Sequence, residues 1–326
     1  MNKKRVFSGI RSSGRLHIGN YLGAVKGMLE LQETHDCIFG VVDYHGIMSP
    51  FDPKTLQDDI KEVVLDYLGA GLDPKKCHLM IQSQISEHVE LAFLLSTIYP
   101  VSRLEQLPTY KEKKLEQPHY VNMGLLYYPV LMAADILIYK SELVPVGKDN
   151  IPHIEVTREI ARKFNQMFEP IFPEPQAYLT KGALVPSLIG QGKMSKSVKE
   201  SYILLTDDLK TIKEKLAKMP TDVGHGKSLP KDGGVANLLI FVELFMGEKE
   251  KQNFEKQYLG EGVKYAELKE KLTQAIYQEL KPIQEKRKYF ESHPKLVEGI
   301  LLEGREYCSK IAKQTLLEVK KAMGLV

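Results

Sequence analysis

The sequence predicts an α/β chain, a doubly wound parallel sheet followed by a helical C-terminal domain. Short β-rich runs alternate with amphipathic stretches through the first half, and from Ala236 onward apolar residues recur at helical spacing. Between these regions lies a segment dominated by Gly, Lys and Ser, near residues 186–200.

The elements follow in order. Residues 5–8 read as a strand, 21–32 as a helix, 38–42 as a strand, 56–72 as a helix and 79–82 as a strand. Such alternation implies right-handed crossovers, and so a parallel sheet that binds ligands at the carboxyl ends of its strands. Residues 8–19 lie at one such end. Residues 83–165 read as mostly helical, and sheet order resumes at Ala177-Tyr178-Leu179. Residues 186–200 look unable to pack a core and are expected to form a mobile loop, and 219–234 to form a linker or exposed loop. Beyond Ala236, Leu238, Leu239, Phe241, Val242 and Phe245, then Ile300, Leu301, Ile311, Leu316, Val319 and Met323, mark amphipathic helices. Pro282 and Pro294 are expected to interrupt or separate them.

Composition removes several function classes. A chain of 326 residues suits one large domain and a smaller one. No apolar run approaches the ~20 residues of a membrane span. The basic start, Met1-Asn2-Lys3-Lys4-Arg5, is followed by Ser8, Gly9, Arg11, Ser12 and Ser13 rather than the apolar stretch of a signal peptide, so a cytoplasmic location is expected. With 45 basic and 42 acidic residues the net charge is only +3, and any RNA contact must therefore be local. Cys37, Cys77 and Cys308 are too scattered for a disulfide framework and read as buried, reduced thiols. The spacing of His35, Cys37, Asp43 and His45 fits no ligand pattern, so no protein-held metal is expected.

Two segments carry the chemistry. In Gly9-Ile10-Arg11-Ser12-Ser13-Gly14-Arg15-Leu16-His17-Ile18-Gly19-Asn20 the glycines fall between a strand and a helix start, where free N–H groups and the helix dipole favour phosphate. Gly19 lets a nucleotide approach the backbone, and His17 and Asn20 supply neutral donors. Read alone, this is equally an ordinary strand-to-helix turn with a capping histidine. The second segment, Gly190-Gln191-Gly192-Lys193-Met194-Ser195-Lys196-Ser197, presents two lysines three apart to one polyanion; read alone, it is a solvated lysine-rich loop. Their order, and a separation of about one nucleotide-binding domain, give the pair its weight.

In that order the two segments resemble the HIGH and KMSKS signatures of class I aminoacyl-tRNA synthetases, with Asn20 in place of the last His. Phe7-Ser8-Gly9, Asp43-Tyr44-His45, Tyr128-Pro129-Val130-Leu131-Met132-Ala133-Ala134-Asp135 and Val144-Pro145-Val146-Gly147-Lys148-Asp149 narrow the resemblance to the tryptophanyl-tRNA synthetase family. Ala236-Asn237-Leu238-Leu239 and residues 280–287 extend it along the whole chain. The tyrosyl enzymes share fold and motifs, so the amino-acid pocket has to decide between them. Indole carries one donor and no acceptor, and a pocket that reads it needs one fixed acceptor among apolar walls. On a helix Tyr128, Met132 and Asp135 share one face, which makes Asp135 the candidate acceptor. Tyrosyl enzymes usually carry a Tyr at the place of Phe7 and a Gln at that of Met132.

The resemblance implies a Rossmann-like, HUP-type catalytic domain over 1–189 with a helical insertion at about 85–130, a mobile loop at 190–198, and a helical domain at 199–326 that binds the tRNA anticodon region. It implies ATP contacts from Arg11, Ser12, Ser13, Gly19, Asn20, Gly147, Asp149, Lys193, Met194, Ser195, Lys196 and Ser197, with Mg2+ carried on the ATP. L-Tryptophan contacts are implied for Phe7, Gly9, His45, Tyr128, Met132, Asp135, Val144, Val146 and Asn150. His17, Lys193, Ser195 and Lys196 are the implied catalytic residues, tRNA(Trp) the acceptor, and a homodimer formed through residues 85–130 the assembly. Arg11 and Asn150 stand where the family usually has Gln, and Ser12 where it has Pro. Some relatives carry an iron–sulfur cluster near the C-terminal domain; with only Cys308 in that half, this chain is not expected to build one. Lys281, Lys286, Arg287 and Lys288 lie near one another and could meet RNA phosphates, though they read first as a solvated helix face.

Overall fold

The computed structural model describes residues 3–147, 150–179, 185–190, 192–196 and 198–326. In chain order, β1 (Arg5–Ile10) leads into α1 (Ile18–Asn20), which continues through a π-helical turn, Tyr21–Val25, into α2 (Lys26–Leu31). Next come β2 (Asp36–Val41), α3 (Asp43–Gly46), α4 (Leu56–Ala70) and β3 (Cys77–Ile81). The helical run holds α5 (Glu87–Ser96), α6 (Val101–Glu105), α7 (Pro108–Glu116) and α8 (Met123–Leu137). Then β4 (Leu143–Val146), α9 (Ile151–Met167) and β5 (Gln176–Leu179) close the sheet. The C-terminal part holds α10 (Leu209–Ala217), α11 (Gly233–Met246), α12 (Glu248–Leu259), α13 (Tyr265–Glu291) and α14 (Pro294–Ala322).

The expected doubly wound sheet forms, all parallel, in the order β3-β2-β1-β4-β5. The chain winds outward from β1 to β3 and then crosses to β4, so the switch point lies between β1 and β4, where such sheets open a ligand crevice. β1 pairs with β2 from Arg5 to Ile10, but with β4 at Val6 and Leu143. Pro145 has no N–H to give to the ladder, and the Ser8 hydroxyl donates instead to the Pro145 carbonyl at 3.2 Å.

Strand alternation divides the core between the two faces. Val6, Cys37, Phe39 and Leu79 pack with α4 and α13, whereas Phe7, Ile38 and Met80 pack with α5, α8, α9 and α14. The C-terminal helices thus lie directly on the sheet layers: α13 against α4, and α14 along β3. Gly304 makes the second contact possible, since a Cβ there would stand 1.8 Å from the Leu79 carbonyl oxygen.

Several expectations are corrected. β4 falls inside the stretch read as helical, because four residues with a proline give no period-two signal. Pro294 begins α14, as its lack of an N–H favours, but α13 runs unbroken through Pro282, which is exposed while its neighbours Leu280 and Ile283 are buried and hold the turn. Residues 186–200 do contribute to a core: Leu188 and Met194 are buried. Arg287 is only 2% exposed and belongs to no solvated face, unlike Lys281, Lys286 and Lys288. The three cysteines are buried, free thiols, and burial pushes each up to about 12.

Candidate active site

Loops at the carboxyl ends of β1 to β4 build the site. At the end of β1, the buried Tyr67 hydroxyl accepts from the Ile10 N–H at 2.9 Å and donates to the Gly40 carbonyl at 3.0 Å, fixing where the strand stops. The loop that follows is held by buried Asp66, which accepts the Leu16 N–H. His17 caps α1: its Nδ1 accepts from the Asn20 N–H and the Asn20 side chain accepts from the His17 N–H, both at 3.2 Å. With Nδ1 so occupied as an acceptor, the ring proton sits on Nε2, which is left as the donor. Burial, followed by the Lys196 ammonium, lowers His17 to about 3, so this donor is neutral. The capping reading of His17 is thus observed.

The two distant segments meet here. The Ile18 N–H donates to Ile203 O and the Leu205 N–H to Leu16 O, each at 2.9 Å, so the chain after the lysine loop runs antiparallel to the first segment. Met194 is buried against Gly19, where a Cβ would lie 3.4 Å from its own and 2.8 Å from the His17 ring, so glycine is required by space. The Lys196 ammonium donates to the carbonyls of Ser13 and Gly14 at 2.8 and 2.7 Å. Burial lowers it to about 8 against the opposing pull of Asp66 and Asp59. Lys193 is exposed, and the Ser195 carbonyl accepts from the Ser201 hydroxyl at 2.6 Å. Of the remaining expected nucleotide contacts, Arg11 and Ser13 are exposed, Gly147 is half-buried, and Ser12 is buried with its hydroxyl unpartnered against Gly46. Asp149 and Ser197 lie outside the described residues.

The second half of the site centres on α8. Asp135 is 2% exposed, as its apolar setting predicts, and three donors reach it: His45 Nε2 at 2.8 Å on Oδ2, with Gln82 Nε2 and His88 Nδ1 at 2.7 Å on Oδ1. Burial raises the carboxyl, but the bonds from His45 and His88 outweigh it and hold Asp135 below the usual carboxylate range. Phe7, Val144 and Val146 share the apolar cluster of α8, with Met132 packed against it, and Gly9 stands close to Val42. The structure thus brings His45, Phe7, Met132, Asp135, Val144 and Val146 to one side of the sheet. Tyr128 is tied to Thr109 Oγ1 and His153 Nε2, both at 2.7 Å, and burial raises its hydroxyl; Asn150 stands at the start of α9. Gln82, at the end of a strand, and His88, Thr109 and His153, in a stretch read as helical, escaped the sequence reading, because single polar residues read as surface until their partners are known.

Comparison with known proteins shows the family of the chain. The sequence profile described as tRNA synthetases class I (W and Y) matches residues 1–281. The chain belongs to this family. It is 40% identical over 331 residues to the tryptophan–tRNA ligase of Helicobacter pylori, covering 100% of both chains. It is 41% identical over 329 residues to that of Caldanaerobacter subterraneus, covering 99% of each. The tryptophanyl-tRNA synthetase of Campylobacter jejuni, solved with ADP and tryptophan, superposes with a TM-score of 0.83 at 33% identity, covering 98% of this chain and 100% of that one. In this class I synthetase, residues 17–20 and 193–196, the described parts of the segments that resemble the two signatures, lie against one another.

Proposed function

We infer that the chain is a tryptophan–tRNA ligase. The observation that carries this is Asp135: a buried, ionised acceptor amid Phe7, Met132, Val144 and Val146 suits a ligand with one ring N–H and an apolar body. Full-length similarity to curated tryptophan–tRNA ligases supports it.

In the first step the tryptophan carboxylate oxygen attacks the α-phosphorus of ATP; that P–O bond forms as the bond to the β-phosphate breaks, and pyrophosphate leaves. The nucleophile is already ionised, so catalysis rests on positioning and charge stabilisation. His17 donates from Nε2, Lys193 and Lys196 meet the charge on the phosphates, and Ser195 lies between them. Magnesium arrives on the phosphates of ATP as part of the substrate. In the second step a ribose hydroxyl at the 3′ end of tRNA(Trp) attacks the adenylate carbonyl and AMP leaves. Lys196 has to leave the Ser13 and Gly14 carbonyls to reach a phosphate, so movement of the loop at 190–198 accompanies ATP binding. The exposed Lys281, Lys286 and Lys288 of α13 supply local positive charge to the tRNA within the region 199–326. The reaction's need for ATP and tRNA supports a cytoplasmic location, and the helical region 85–130 is the proposed seam of a homodimer.

Exchange of labelled pyrophosphate into ATP, with amino acids offered singly, tests the reading. Tryptophan-dependent exchange is expected; exchange with tyrosine alone refutes it.

A further inference from the structure

A carboxylate offers about four acceptor directions, two on each oxygen. At Asp135, Gln82 and His88 fill both directions of Oδ1, and His45 takes one on Oδ2. One acceptor direction is left. Indole brings one N–H; phenol brings one O–H and an oxygen that itself seeks a donor.

We propose that Gln82 and His88 are positioning residues for amino-acid selection: they turn Asp135 so that its one remaining acceptor meets a ring N–H, and their donors, committed to the carboxylate, are withheld from a phenol oxygen. The inference rests on the tryptophan reading and extends it to how tyrosine is refused.

The surroundings lock both donors. The Gln82 Oε1 accepts from the Tyr44 N–H at 3.1 Å, which turns its amide nitrogen toward Asp135. His88 is fully buried and held at both ends, with Nδ1 on the carboxylate and Nε2 on the Tyr139 hydroxyl at 2.7 Å. Tyr139 is fully buried too and stacks on Phe7 at 5.4 Å, so the ring that holds His88 also packs against the apolar side of the site. A donor set so enclosed cannot be replaced by solvent, and any loosening transfers directly to the direction in which Asp135 accepts.

The test uses the whole chain in pyrophosphate exchange and compares kcat/KM for tryptophan, for its benzothienyl analogue, in which sulfur replaces the ring N–H, and for tyrosine. The wild-type preference for tryptophan over the sulfur analogue is expected to be on the order of 10²-fold or more, because the analogue leaves a buried acceptor unpaired. His88→Leu is expected to cut that preference at least about tenfold and to narrow the margin over tyrosine, while KM for ATP stays within about twofold, a split that general loss of structure does not give. His88→Asn, whose amide nitrogen can replace Nδ1, should retain the preference. Should His88→Leu fail to fold, Tyr139→Phe decides, removing one oxygen; a loss of about threefold or more is expected. A wild-type preference in His88→Leu, or in Tyr139→Phe in its stead, overturns the proposal, as does a wild-type protein indifferent to the N–H. A wild-type protein with no tryptophan-dependent exchange refutes instead the reading on which the proposal rests.

Discussion

Lys196 shows how burial can set a pH dependence from a single side chain. Held on two carbonyls and lowered to about 8, its ammonium is charged below that pH and lost above it. In the folded chain it binds fewer protons than a free lysine between about 8 and its ordinary value, so its burial costs stability at lower pH and the cost fades as pH rises. If it meets the phosphates as a cation, kcat/KM for ATP falls above pH about 8. Lys196→Arg should remove that limb while keeping activity, and Lys196→Ala should remove it and lower kcat by roughly 10²–10³-fold with little change in tryptophan affinity. A limb that persists in Lys196→Ala belongs to another group. Because the chain contains no tryptophan, that affinity can be read from the fluorescence of the ligand itself. Asp135→Asn tests the other half of the site: a loss of roughly 10²-fold or more in kcat/KM for tryptophan, with KM for ATP nearly unchanged, is expected. Asp135 was legible because a carboxylate inside Val130-Leu131-Met132-Ala133-Ala134 has to be buried with partners. His45 was also named as a pocket residue, but Gln82 and His88 were not, since they lie 53 and 47 residues away and only the fold brings them in.

At the scale of elements, α13 binds the C-terminal part to the loop that follows β1. Arg287 on α13 pairs with buried Asp66 of α4, which accepts the Leu16 N–H; its other nitrogens reach Glu62 and Glu291 at 2.6 and 2.9 Å. Gln284, one turn earlier, donates to the carbonyls of Leu205 and Asp207, each at 2.9 Å, in the segment paired with the first motif. Burial raises Asp66 to about 6 even beside Arg287, a sign of how dry the pair is. Removing one partner of such a pair leaves an uncompensated buried charge, so Arg287→Met should lose about 3–5 kcal/mol in urea unfolding and raise KM for ATP as the Leu16 tether slackens. A change below about 1 kcal/mol would show that the pair holds nothing. The sequence disclosed α13 by its apolar periodicity but misjudged two of its residues. Arg287 read as surface because lysines flank it, and Pro282 read as a break because tertiary packing, which overrides local propensity, is invisible in one dimension. β4 was hidden by its brevity.

For the molecule as a whole, strand alternation was enough to foretell a doubly wound parallel sheet, while the order of strands and the seating of α13 and α14 on the sheet needed the structure. The helical region 85–130 leaves an apolar surface in the single chain: Phe93 is 65% exposed, with Val89 one turn away on the same face of α5 and Leu115 and Met123 also open. If this surface joins two copies, sedimentation should find a dimer, and Phe93→Asp should give a folded monomer; a wild-type monomer at micromolar concentration would contradict it. The complete reaction is measured by the charging of bulk bacterial tRNA by the purified chain with ATP and one labelled amino acid at a time. The structure predicts label from tryptophan at the 3′ end of a tRNA and none from tyrosine; label from tyrosine alone, or none from tryptophan, would contradict it.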